Sequence, residues 1–207
     1  MQQDKVTEEE FRILVRWLIS GGVTFVQAVY SLIDQLTAQR DTVDNIEHAC
    51  RRGCSFCCHQ LVTCTEIEWR EIHRYLKEHA TRTSRVFLNK ARDRWRKYYA
   101  LNQSTIRFHP RKPVADWWGK PCVFLGRDGA CTIYPVRPID CRTLVAPFTC
   151  TSERSAGKKM RHPWERWANN MILEEQGRRV GTAPEVTGVV PLPHWLCVDT
   201  GQPQRVR

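Results

Sequence analysis

The sequence predicts a mainly α-helical fold with an irregular, metal-stapled loop region and at most a short β-hairpin. Three observations support this fold class. Apolar residues recur at helical spacing in four stretches of the chain. Six prolines fall within residues 107–150, where short extended pieces alternate with turns. Seven of the ten cysteines lie in two groups, and the second group falls within this proline-rich segment. Ligation by sulfur is therefore expected to hold a segment that has little core of its own.

The first 47 residues are predicted to form an antiparallel pair of helices. Thr7 and Glu10 have the spacing of a capping box at the start of a helix over residues 7–19. The apolar residues of its predicted core face are Phe11, Leu14, Val15 and Leu18. A second helix, residues 24–39, follows after a short glycine-containing connection, which favours antiparallel packing. We interpret both apolar faces as core rather than as a cofactor site.

Three further helices follow from local signals. Thr65 and Glu68 form a second capping box before residues 66–79. Residues 84–106 form a long basic helix with an apolar stripe, and Pro163 opens a helix over residues 163–178. The Pro-rich tail after residue 181 is predicted to run extended over the surface.

The predicted organisation has three parts. Residues 1–47 are an N-terminal helical pair, and residues 48–150 are a cysteine-cluster domain that includes the basic helix. Residues 151–207 supply a C-terminal helix and a tail that pack on the same unit.

The first cysteine group lies in a predicted helical stretch, residues 44–58. Cys50, Cys54 and Cys57 are spaced i, i+4 and i+7, so a helix would project them from one face and Cys58 to one side. Gly53 interrupts this pattern and would let the chain bend around a metal.

The second cysteine group consists of Cys122, Cys131 and Cys141. Between the first two, the turn 126–129 is predicted to join a short hairpin of residues 123–125 and 131–134.

Metal ligation is the favoured interpretation of these cysteines, with a disulfide framework and buried thiols as alternatives. Cysteine is about 5% of the 207 residues, below the ~8–10% typical of disulfide scaffolds. The acidic, polar start lacks the pattern of a secretory signal, and no run of 18 apolar residues occurs. The sequence therefore predicts a cytoplasmic protein with no membrane span.

Two motifs resemble one known family. The first is Cys50-x3-Cys54-x2-Cys57-Cys58, and the second runs from Pro121-Cys122 through Cys131-Thr132-Ile133-Tyr134-Pro135 to Cys141-Arg142. Together they resemble the YkgJ-type cysteine-cluster family, a zinc- or iron-chelating domain, over residues 48–145. The same domain resembles one in flagellin lysine N-methylases, whose further sequence is not recognisable here.

The resemblance implies that the matching cysteines are the ligand pool: Cys50, Cys54, Cys57, Cys58, Cys122, Cys131 and Cys141. Additional candidate ligands are Cys64, Cys150, His59 and Glu66, although Glu66 also suits the first turn of a helix and His59 a surface position. Four arginines are expected either to neutralise a metal–thiolate anion or to lie on a solvated surface: Arg51, Arg52, Arg137 and Arg142.

An iron–sulfur cluster, of the 4Fe–4S type, is favoured over zinc. Seven thiols exceed one tetrahedral site, and four-cysteine zinc sites usually come as two CxxC-like pairs. Clusters accept three ligands from one run and a distant fourth beside a proline, a place that Cys122 or Cys141 could take. The spacing of Cys50, Cys54 and Cys57 also occurs in radical S-adenosylmethionine enzymes, but the strand–helix alternation of their barrel is missing.

Two function classes stay open. The first is a redox or protein-modifying enzyme that uses the cluster. The second is a zinc-stabilised binding or assembly module whose basic face docks nucleic acid or an acidic protein. The formal charge of +10 and the basic helix 84–106 favour a polyanionic partner.

Overall fold

A computed structural model describes residues 6–44, 53–79, 81–108, 117–144, 150–151, 163–180 and 189–197. The mainly helical fold class is confirmed. The helices are α1 (Glu8–Ser20), α2 (Phe25–Asp44), α3 (Glu66–His79), α4 (Arg82–Phe108), α5 (Ile139–Arg142) and α6 (Pro163–Val180). One two-stranded antiparallel sheet joins β1 (Thr63–Thr65) to β2 (Val189–Pro191). Short 3-10 turns cover Phe56–His59, Tyr134–Val136 and Leu192–Cys197.

Helix α1 begins where its capping box predicts. The Glu10 N–H donates to Thr7 Oγ1 at 3.2 Å, and the Thr7 N–H donates to Glu10 Oε2 at 2.7 Å. Phe11 and Val15 are fully buried. The prediction that Leu14 belongs to the core is wrong, because this residue is 38% exposed. The core face therefore follows a narrower stripe than periodicity alone indicates.

Two hydrophobic cores lie on either side of α3. The first core joins α1, α2 and α6 and takes Ile67 from α3. The second core contains Trp69 and Ile72 of α3 together with residues of α4 and of the cysteine-rich segment. Helix α3 thus ties the helical bundle to the region of the cysteines, which places that region at a defined position on the fold.

The C-terminal segment 189–197 forms part of the second core, so its predicted course over the surface is wrong. Strand β2 pairs with β1, with Cys64 opposite Val190. Leu192 and Trp195 are buried, and the Trp195 indole N–H donates to the Cys64 carbonyl at 2.9 Å. Burial of these large apolar side chains outweighs the preference of a Pro-rich segment for solvent. Pro191 is tolerated because β2 lies at a sheet edge.

The predicted helix over residues 44–58 is also corrected. Residues 45–52, with Cys50, Arg51 and Arg52, lie outside the described residues. Gly53 has φ +91°, which a right-handed helix cannot contain, and the chain then forms a 3-10 turn over Phe56–His59. Gly53 therefore interrupts the helical pattern, as predicted. In the described part of the chain, no helix combines the length and apolar character needed to cross a membrane.

Candidate metal centre

Three separate segments bring five cysteines together. Cys57 and Cys58 lie in the 3-10 turn, Cys122 and Cys131 lie in the hairpin, and Cys141 lies in α5. The thiols influence one another electrostatically across all three segments. We call this set, Cys57, Cys58, Cys122, Cys131 and Cys141, the thiol cluster. The nine cysteines within the described segments carry no disulfide bond.

Backbone hydrogen bonds join the first two segments. The Cys122 N–H donates to the Cys58 carbonyl at 2.6 Å, and the Gly119 N–H donates to the His59 carbonyl at 2.9 Å. The two cysteine groups, which lie more than 60 residues apart in the chain, are therefore held side by side by the main chain. The prediction that Cys58 points away from its neighbours is wrong: its thiol shares a hydrogen bond with that of Cys57. The 3-10 turn, which replaces the expected helix, brings adjacent side chains to one site.

The predicted hairpin is present, reduced to a single bridge between Leu125 and Cys131. The Gly126 N–H donates to the Ala130 carbonyl at 2.8 Å, and the Thr132 N–H donates to the Phe124 carbonyl at 2.9 Å. This tight loop sets Cys122 and Cys131 on its two arms.

Backbone N–H groups point at two of the sulfur atoms. The Phe124 N–H donates to Cys122 Sγ at 3.5 Å, and the N–H of Ile133 donates to the Cys131 sulfur. Each of these hydrogen bonds lowers the pKa of the thiol that accepts it. N–H donors of this kind stabilise thiolate charge and tune metal–sulfur centres. The two N–H donors of the hairpin would therefore stabilise negative charge on the sulfur atoms of Cys122 and Cys131.

Burial and mutual repulsion act in the opposite direction. Burial raises the pKa of Cys122 to about 12 in spite of its N–H donors. The hydrogen bond that the Cys58 thiol donates to Cys57, then burial and the neighbouring thiols, raise the pKa of Cys58. Burial, followed by the charges of the other thiols, raises the pKa of Cys141. Without a cation these thiols keep their protons, whereas a bound metal would favour the thiolate forms.

Helix α5 is clamped in place from two sides, which positions Cys141. Asp140 accepts hydrogen bonds from Thr63 Oγ1 at 2.6 Å and from the Thr63 N–H at 3.1 Å. The Ile139 N–H donates to Glu68 Oε1 at 2.8 Å. Glu68 is only 1% exposed. The sequence indicated its capping role but not its contact with α5, since the capping pattern carries no long-range information.

The remaining candidate ligands divide into two groups. Cys54 is half-buried, and Cys64 and Cys150 are buried. Burial, then the charges of Glu68 and Cys141, raise the pKa of Cys64. Cys150 packs with Phe56 and Cys57. The other two have different contacts. His59 Nδ1 lies 3.1 Å from the Ser55 carbonyl, and Glu66 pairs with Arg70 at 2.7 Å.

The two described arginines occupy different environments. Arg137 lies over the Tyr134 ring, 3.8 Å from its centroid. Burial raises the pKa of Cys131, and the charge of Arg137 opposes this increase. Arg142 is buried and donates hydrogen bonds to Asp34 and to the Pro135 carbonyl. Arg142 thus anchors the cysteine-rich segment to α2.

The donor set suits zinc or an iron–sulfur cluster chemically, because it consists of several soft thiol donors with N–H groups directed at two of them. Among the described residues, no three Cys, His, Asp or Glu side chains are grouped tightly enough to hold an ion in their present positions. The described part of the chain does not include Cys50.

A comparison with models of protein families identifies the family of the cysteine-rich segment. The family model CxxCxxCC, described as "Putative zinc- or iron-chelating domain", matches residues 49–157. The chain belongs to this family. No curated protein and no solved structure matches the chain. Membership confirms the predicted resemblance and supports metal chelation by the cysteines. The matched region of the CxxCxxCC family extends past Cys150.

The described aromatic side chains of the basic helix α4, Trp95, Tyr98 and Tyr99, pack against other residues of the protein. Trp95 is buried and stacks edge-on with Trp117, 5.0 Å between ring centroids. Arg94 and Lys120 lie over the Trp117 ring at 5.7 and 5.3 Å. These aromatic faces are therefore already occupied by the protein's own side chains.

Proposed function

We propose that the thiol cluster, together with Cys50 and Cys54, holds an iron–sulfur centre of the 4Fe–4S type, with zinc as the alternative. A cluster of this kind supplies electron transfer when it is bound. We therefore propose a redox or protein-modifying role for the centre. The observation that carries the proposal is the convergence of five thiols from three segments that are separated in the chain.

The number and origin of the thiols favour the cluster over zinc. One tetrahedral zinc site uses four ligands, usually in two CxxC-like pairs. Here the turn provides adjacent cysteines, while Cys122, Cys131 and Cys141 come singly. Iron–sulfur clusters accept such single, distant ligands.

The protein's own groups would hold the centre in four ways. The N–H groups of Phe124 and Ile133 donate to sulfur. Arg137 provides positive charge beside Cys131. Glu68 and Asp140 fix α5 and with it Cys141. Partial burial of the cysteines limits access of water and oxygen to the sulfur atoms.

The test is metal and sulfide analysis of protein prepared without oxygen, combined with a visible spectrum. We expect iron and acid-labile sulfide in similar amounts and absorbance near roughly 400 nm. Cys141→Ser should lose most of the iron. Cys197→Ser is the matched control, since Cys197 lies against Arg92 of α4 and not in the thiol cluster. A colourless protein with stoichiometric zinc would support the alternative, and equal iron in both variants would refute the assignment of Cys141.

A second candidate function rests on the exposed cations of α4. Five basic side chains face solvent within the described part of this helix, interrupted by Asp93: Arg85, Lys90, Arg94, Arg96 and Lys97. A face of this kind suits a binding module for nucleic acid or an acidic protein.

Charge reversal tests this second candidate. Lys97→Glu should weaken binding of an RNA oligonucleotide and reduce its salt dependence. Lys77→Glu is the control, because it changes the net charge by the same amount and Lys77 is exposed on α3 rather than on α4. Equal effects of the two variants would show that α4 is not the binding face.

A further inference from the structure

We propose that the outward face of α1 is a homodimer interface, in which α1 packs antiparallel against α1 of a second copy. This face exposes three large apolar side chains: Trp17 at 69%, Ile13 at 48% and Leu14 at 38%. Phe11 and Val15, on the opposite side of the same helix, are fully buried. Helix α1 is thus apolar on two sides, and the core of one copy covers only one of them.

The exposed residues form a continuous patch. Ile13 and Trp17 are four residues apart, so they lie one above the other on the helix surface. Their combined exposed apolar surface with Leu14 is on the order of 300 Å², similar to the largest patch of a typical monomer, and such patches often have a function. Tryptophan is enriched among the residues that carry most of the binding energy in interfaces.

Charges beside this patch specify the occupant. Glu9 and Arg16 are both exposed, and within the described part of the chain neither has an ion-pair partner. They are seven residues apart, which corresponds to about 10 Å along the helix. In an antiparallel pair that crosses near Ile13, Glu9 of each copy lies opposite Arg16 of the other.

A second copy therefore satisfies both charges and the apolar patch with one symmetric contact. The same residues meet twice across a two-fold axis, as in an isologous interface. Ile13 meets its counterpart at the centre, and Trp17 covers the stretch between Glu9 and Ile13 of the second copy. A parallel arrangement would oppose like charges, so the charges select the antiparallel one.

The patch is smaller than the ~800 Å² per partner of a standard interface, so the dimer should be concentration-dependent. Sedimentation velocity over an approximately 100-fold range of concentration would reveal it. Trp17→Ser should weaken dimerisation at least tenfold while leaving the melting temperature of the monomer unchanged, because Trp17 contributes little to the core. A protein that stays monomeric throughout, or a dimer that is unaffected by Trp17→Ser, overturns the proposal.

A charge-swap series tests the antiparallel geometry independently. Glu9→Lys and Arg16→Glu should each weaken the dimer several-fold, because each creates two repulsive contacts. The double variant restores opposite charges in the same positions and should recover most of the affinity. Failure of the double variant to recover, with each single variant folded, refutes the antiparallel pairing.

Discussion

Replacement of Glu68 by glutamine should destabilise the protein more than any other conservative change in α3. Both carboxylate oxygens are engaged: Oε1 accepts from Tyr30 Oη at 2.9 Å and from the Ile139 N–H at 2.8 Å. Oε2 accepts from the Thr65 N–H at 2.9 Å and from Thr65 Oγ1 at 2.8 Å. Glu68 thereby joins α2, β1, α3 and α5 at a site that water does not reach.

The expected loss of stability follows from the backbone N–H groups that donate to the Glu68 carboxylate. In Glu68→Gln an NH2 group replaces one oxygen, and it must then face the N–H of either Ile139 or Thr65. A hydroxyl can turn to accept, but a backbone N–H cannot, and one buried unsatisfied donor costs about 1–3 kcal/mol. With the loss of hydrogen bonds to a charged acceptor, we expect a decrease of about 3 kcal/mol in the free energy of unfolding. For a chain of this size that corresponds to roughly 6–12 °C in melting temperature.

Urea denaturation followed by circular dichroism at pH 7 measures this difference. Glu66→Gln is the matched control, because Glu66 lies two residues earlier and pairs with Arg70, whose side chain is 61% exposed. Its loss should cost less than about 1 kcal/mol. Burial raises the pKa of Glu68, against its hydrogen bonds from Ile139 and Thr65. A carboxyl that stayed protonated in the fold would be mimicked by glutamine, so equal stability of the two variants would refute an ionised, fourfold-bonded Glu68.

Three further predictions concern an ion pair, two glycine positions and the bound metal. The hydrogen bond from Arg12 lowers the pKa of Glu174, so this pair should stabilise the fold above the unfolded-state pKa near 4.5 and lose its effect as the pH falls through the lower folded value. Because Glu174 is 44% exposed, Glu174→Gln should cost under about 1 kcal/mol at pH 7 and progressively less as the pH falls below the unfolded-state pKa; a thermal-unfolding difference that does not shrink as the pH falls would contradict this. Gly53→Ala should destabilise the protein by about 1–2 kcal/mol because of its φ of +91°, whereas Gly177→Ala, in a helix with open space at the new Cβ, should stabilise it by up to about 1 kcal/mol; melts in which both variants shift in the same direction would refute the argument. Verified removal of the metal should lower the melting temperature, since ligation and folding are linked, and an unchanged melt would argue against a structural centre.

The sequence by itself determined the features that depend on neighbours three or four residues away. Both capping boxes, at Thr7 and Thr65, start helices as predicted. The turn over residues 126–129 closes a hairpin, and the two cysteine motifs identified the family. The capping boxes and the turn are local signals, because each involves hydrogen bonds within one turn of the chain. The cysteine motifs are also read from the sequence alone, from the order and spacing of residues along the chain.

Only the tertiary structure decided which residues share the site. Glu68 meets Ile139 across 71 residues, and Trp195 meets Cys64 across 131. No periodicity in the chain encodes contacts of that separation. Cys58 joined the thiol cluster because the chain after Gly53 forms a 3-10 turn, and the Cys58 carbonyl of this turn accepts a hydrogen bond from the Cys122 N–H. Long-range packing selects among locally acceptable conformations, and here that selection brought the cysteines to one place.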